Sequence, residues 1–93
     1  VSVRHETLLE LGVLTDQLAS ARLELAELEA AAHRQRTEAW FNHPSDKISE
    51  RDRVADFQTL DLAEDIIKLK GEISALEDRR ILLRDIIVWT GDD

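Results

Sequence analysis

The chain has 93 residues, of which 43% are hydrophobic and 34% charged, and twelve Lys/Arg against twenty Asp/Glu leave a net charge of −8. That is one small domain at most, too apolar for a disordered chain and too charged for a membrane span. The absence of cysteine excludes a disulfide scaffold, a thiolate metal site and a Cys nucleophile, and the acidic balance argues against wholesale electrostatic binding to nucleic acid or anionic lipid.

No apolar run reaches the roughly 18 residues of a membrane span, and no basic-then-apolar leader opens the sequence. A cytoplasmic, intracellular protein without membrane association is therefore expected. The first residue is Val1 and no methionine occurs anywhere, so the native start has been removed or the chain is a fragment. One proline, three glycines and four aromatics make a poor inventory for a sheet, whereas the abundant Leu, Ala, Glu and Arg suit helices.

In chain order, the first predicted element is a helix over about residues 2–41. It carries a seam at Leu11, Leu14, Leu18, Ala21, Leu25, Leu28 and Ala32, with steps alternating three and four. In heptad terms Leu11, Leu18, Leu25 and Ala32 are a positions, and Leu14, Ala21 and Leu28 are d. Next comes Asn42-His43-Pro44-Ser45-Asp46, the one cluster of turn formers. Proline denies its nitrogen to a helix and pushes His43 out of the helical region, so a hinge is predicted at about 42–48.

The second predicted helix spans about 49–90. Ser49 and Asp52 resemble a capping box at its start, with Ser45 or Asp46 as alternative caps. Its seam places Ile66, Ile73 and Arg80 at a, and Leu62, Leu69, Leu76 and Leu83 at d. Gly91 suits the C-terminal cap, leaving Asp92 and Asp93 as a solvated tail.

Two long amphipathic segments around a short polar turn define an all-α fold: a single antiparallel, coiled-coil-like helical hairpin over residues 1–93. Folding about Pro44 would pair residues whose numbers sum to roughly 88. Such a pair cannot bury all its apolar surface. Phe57, Leu60, Ile67, Ile81 and Val88 form a second stripe about 130° from the seam. The end of the second helix, Ile81 to Trp89, is apolar around most of its circumference and faces a Leu-rich start of the first. A homodimer forming a four-helix bundle is the expected solution, with Leu8, Leu9, Leu11, Ile81, Leu83, Ile86, Ile87 and Trp89 as its self-association surface. The alternative is a bend near Gly12 that folds the first helix over the apolar end.

Chemistry is sparse. His5, His33 and His43 share no ligand spacing, and the carboxylates Glu24, Glu27, Glu29, Glu64 and Asp65 suit a solvated flank. No Glu-x-x-His, phosphate loop or nucleophile–base arrangement occurs, so no enzyme activity, metal or cofactor is expected. Polar seam residues are more informative. Arg80 at a and Gln35 at d fit a register-setting role, although Arg80 could equally snorkel from a seam edge. Trp40 and Phe41 are placed to cap the hinge end, and Trp89 to anchor an interface. The cluster His33-Arg34-Gln35-Arg36 and Arg51 with Arg53 flank the hinge as a modest basic zone.

The stretch Ser49-Glu50-Arg51-Asp52-Arg53-Val54-Ala55-Asp56, followed by a long helix containing Arg79-Arg80-Ile81-Leu82-Leu83-Arg84-Asp85-Ile86, resembles small helical proteins of actinobacterial tailed phages. The resemblance covers roughly residues 31–88, and Phe57 and the Ile-rich positions depart from it. It implies a phage accessory protein acting by protein–protein contact in the host cytoplasm, and transfers no catalytic or binding residue.

The function expected is thus a non-catalytic interaction module. It would bind itself and an unidentified host or phage protein, with Arg80 setting register and Phe57, Leu60 and Ile67 as partner surface. The alternatives are an accessory in a nucleic-acid transaction using the hinge arginines, and an acidic decoy that mimics DNA.

Overall fold

The computed structural model describes residues 2–91, so the Asp92–Asp93 tail lies outside the described residues. Among those residues there are three helices and no strand: α1 (Val3–Asn42), α2 (Ile48–Gln58) and α3 (Leu60–Thr90), with α1 packed against α3. Ser2 caps α1, its hydroxyl accepting the His5 amide at 3.1 Å. At the far end Gly91 takes φ +60° and its amide reaches the Ile87 carbonyl at 3.2 Å. This is the left-handed glycine cap expected there.

Two expectations for the second helix need correction. The second helix is not continuous over 49–90. It divides at Thr59, whose φ −103° and ψ 9° leave the helical region. The Thr59 hydroxyl donates to the Ala55 carbonyl at 2.9 Å and lies 3.3 Å from that of Asp56. Thr7, Thr15 and Thr37 make the same hydroxyl-to-carbonyl bond within unbroken α1, so this bond alone does not cause the break. The cap of α2 is Lys47 rather than Ser49, Ser45 or Asp46, and it makes no side-chain capping bond. Ser45 acts one step earlier, its hydroxyl accepting the Lys47 amide at 3.1 Å and tightening the Pro44 turn. The loop itself, residues 43–47, falls where the turn formers placed it.

The chain forms two compact units. Unit 1 joins Val1–Leu23 to Lys70–Asp93. Its core holds Leu14, Leu18, Ile73 and Leu83, with Leu18 and Leu83 at 1% and 2% exposure. Leu11, Ala21, Leu76, Arg80 and Ile87 are half-buried along the same seam. Thr7 extends the row toward the N-terminus, where its hydroxyl donates to the Val3 carbonyl at 2.7 Å and leaves nothing unsatisfied. The helix α1 runs unbroken through Gly12, so the bend considered there does not form.

Unit 2, Glu24–Leu69, packs the rest of α1 with α2 and the start of α3. Its buried residues are Ala39, Ala55, Thr59 and Leu69. The seam runs through Ala55, Thr59, Leu62, Ile66 and Leu69 in steps of four, three, four and three, so the heptad passes across the Thr59 break without losing phase. Gln35 is exposed, contrary to its expected seam position, and its neighbour Arg36 lies on the flank, where it reaches Asp52 and Asp56. Ala55 is completely buried. Ala55→Leu is therefore expected to cost about 1–3 kcal/mol by overpacking, whereas Ala63→Leu, at an exposed position, should stay within about 0.5 kcal/mol. Urea denaturation of the two variants measures the difference, and equal stabilities would contradict the close packing.

Candidate interaction surface

Interhelical ion pairs fix how the helices of each unit face one another. In unit 1, Arg22 Nη2 meets Glu77 Oε1 at 3.0 Å, and Arg79 Nη2 meets Glu10 Oε1 at 2.7 Å. In unit 2, Arg36 Nε donates to Asp56 Oδ1 at 2.9 Å. With the seam as a and d, Arg22, Glu77, Arg36 and Asp56 occupy e positions, while Glu10 and Arg79 occupy g. Running one helix against the other sets e beside e and g beside g, whereas parallel helices set g beside e. All three pairs therefore match an antiparallel seam. The residue numbers of Glu10 and Arg79 sum to 89, close to the 88 expected from the hinge, whereas those of Arg22 and Glu77 sum to 99, so that simple pairing does not hold throughout. These pairs are about half exposed, and such pairs contribute about 1 kcal/mol or less each. They select orientation more than they supply stability.

The turn of unit 2 is locked by a polar network. Arg51 Nε donates to the Ser45 carbonyl at 2.7 Å and Nη1 to the Trp40 carbonyl at 3.0 Å. Its guanidinium carbon lies 5.0 Å from the centroid of the Trp40 ring, within reach of a cation–π attraction. Trp40 Nε1 donates to Asp52 Oδ1 at 3.0 Å, and Arg36 Nη2 lies 3.5 Å from the same oxygen. The hydrogen bond to Asp56, followed by its charge, raises the Arg36 pKa above the ordinary guanidinium value. That shift favours the folded state at every pH below the guanidinium's own, so it adds no titration near neutrality. Trp40 caps the turn as expected. Phe41 does not: it packs edge-on against Trp40 with ring centroids 5.0 Å apart, but most of its surface is open.

The residues expected at a self-interface divide into three groups. Leu83 is buried in the unit 1 seam and is spent on intrachain packing, so it is not available to a partner. Leu11, Ile86 and Ile87 are half-buried. Leu8, Leu9, Ile81 and Trp89 are exposed, and the structure adds Val3, Val13, Leu82 and Val88, with Val88 at 76% and Trp89 at 88%. The e and b positions of Leu8, Ile81 and Val88 put them on the flank of the Arg22–Glu77 pair. Val13, Leu82 and Trp89, all at c, belong to the flank of Glu10 and Arg79. Arg80 is half-buried at its a position. In unit 2, Phe57, Leu60 and Ile67 are all exposed, Phe57 at 76%. An open groove of about 270 Å³ lined by Arg53, Val54 and Phe57 adjoins them.

Other chemistry stays dispersed. His5 and His33 are exposed and His43 half-buried. No group of three or more His, Asp or Glu is placed to hold a metal among the described residues. No helix among them is long and apolar enough to cross a membrane.

The fold defines an all-α helical hairpin with coiled-coil packing and unpartnered apolar flanks. Comparison with known protein families, with curated proteins and with solved structures finds no match to the chain.

Proposed function

We propose that this protein is a non-catalytic interaction module that associates with itself through unit 1, two hairpins forming a four-helix bundle. The observation that carries this reading is the exposure of Leu8, Ile81 and Val88 on one flank of unit 1, with Leu82 and Trp89 exposed on the other. Large apolar side chains grouped on a flank mark an interaction surface more often than a free one. Charge does not oppose the association, because the described part of unit 1 carries seven acidic and six basic residues. Half-buried Arg80 would set the register of the bundle, its charge excluding shifted pairings that bury it. The phage accessory role implied by the resemblance fits a module of this kind.

The other readings draw less support. Arg36 and Arg51 of the basic hinge zone are committed to Asp56, Asp52 and backbone carbonyls, which weakens nucleic-acid binding there. A DNA-mimicking face needs unbroken acidity, but Glu10, Glu77 and Asp56 are each paired with arginine. Light scattering across a dilution series is expected to give twice the chain mass at micromolar concentration. A single-chain mass throughout would overturn the self-association reading.

A further inference from the structure

The two units differ in electrostatics as well as in apolar surface. Residues 24–69, unit 2, carry eleven acidic and six basic residues, a net −5, against −1 for the described part of unit 1. A second copy of this chain is therefore a poor occupant for the apolar row of unit 2, because two surfaces of the same sign would be brought into contact. That row nevertheless resembles an interface. Phe57 near the end of α2 is exposed together with Leu60 and Ile67, which lie one heptad apart on α3, so large apolar side chains are left uncovered on this stretch. Glu64 follows Leu60 by four residues and precedes Ile67 by three, so it lies in the same row. Asp56 and Asp61 flank it. Arg36 meets Asp56 through one oxygen, and that side chain remains 67% exposed. The groove beside Phe57 provides a recess for a side chain.

We propose that the Phe57–Leu60–Ile67 face of unit 2 docks a basic amphipathic helix from a partner protein. Apolar anchors of that helix would cover Phe57 and Ile67, and its Lys or Arg residues would face Asp56, Asp61 and Glu64. The proposal rests on the reading of the chain as an interaction module, and it names the partner's chemistry at a surface separate from the self-association face.

The test uses two labelled synthetic peptides of about 18 residues, long enough for roughly five helical turns. One carries leucines at helical anchor spacing with lysines elsewhere. The other replaces every lysine with glutamate. Fluorescence anisotropy with the full chain is expected to show binding of the Leu/Lys peptide at least tenfold tighter than of the Leu/Glu peptide, weakening as salt is raised. Phe57→Ser with Ile67→Ser should reduce that binding at least tenfold. Circular dichroism should remain that of the wild type, since both side chains are exposed. Equal binding to the double variant, or equal binding of the two peptides, overturns the proposal. A loss of self-association in the double variant overturns it differently, by showing that a second copy occupies this face. Failure of the dimer reading appears only in the dilution series and leaves the peptide result to stand alone.

Discussion

Leu18→Ala and Leu83→Ala are each expected to destabilise the chain by about 2–5 kcal/mol. Both side chains are almost completely enclosed in the seam of unit 1. Truncation removes their transfer free energy and leaves a cavity between helices whose ion-paired flanks limit collapse. Against a total of about 5–15 kcal/mol, such a loss is a large part of what holds a domain of this size together. It should appear as a fall of about 10 °C or more in the thermal midpoint. Leu23→Ala is the control: Leu23 belongs to the same helix but is exposed, so a change within about 0.5 kcal/mol is expected. All three are to be compared at one protein concentration, because the proposed self-association would make the midpoint concentration-dependent. If Leu23→Ala costs as much as Leu18→Ala, the seam is not the core.

The second large effect concerns the association surface. Ile81→Asp with Val88→Asp is expected to shift the dimer equilibrium toward monomer by about a hundredfold or more, since full burial of each aliphatic side chain is worth about 1.5–3 kcal/mol. Both positions are exposed in the single chain, so the monomer should keep its helicity. Ile87→Asp would not separate the two effects, because Ile87 is half-buried in the seam and its loss would disturb the fold itself. A double variant with the wild-type scattering mass would remove Ile81 and Val88 from any self-interface.

The seam was legible in the sequence because Leu and Ile at alternating steps of three and four leave one helical solution, and the lone proline marks where it reverses. Leu14, Leu18, Leu69, Ile73 and Leu83 are buried as that spacing requires. The break at Thr59 was not legible. The heptad passes through it in phase, and threonine is no helix breaker by type. Only the backbone angles at Thr59 reveal it, because its hydroxyl bond to the Ala55 carbonyl repeats one that Thr7, Thr15 and Thr37 make in unbroken α1. The exposure of Gln35 was hidden for a different reason. Spacing favours Gln35, but Arg36 finds Asp52 and Asp56 on another helix, a compensation that local periodicity does not encode. The Trp40–Arg51–Ser45 network was equally silent, because it depends on how the turn closes. The apolar surplus at Ile81 to Trp89 was visible as composition. Its division between seam and exposed flank required the ion pairs that orient the helices.

The turn network has a consequence for the order in which the chain closes. Trp40 and Arg51 are 11 residues apart along the chain, whereas Arg4, whose Nη1 lies 3.4 Å from the Ile87 carbonyl, is 83 residues from its partner. Joining the distant pair first would sacrifice about 2 kcal/mol more chain entropy than joining the near one. The cheapest nucleus is therefore the Pro44 turn, held by an indole, a guanidinium and two carbonyl oxygens. Once it has formed, each successive contact toward the termini closes only a short additional loop. The residues proposed for self-association are thus the last to be organised in a single chain. A second copy arriving at them would complete the final stage of folding as well as cover an apolar surface.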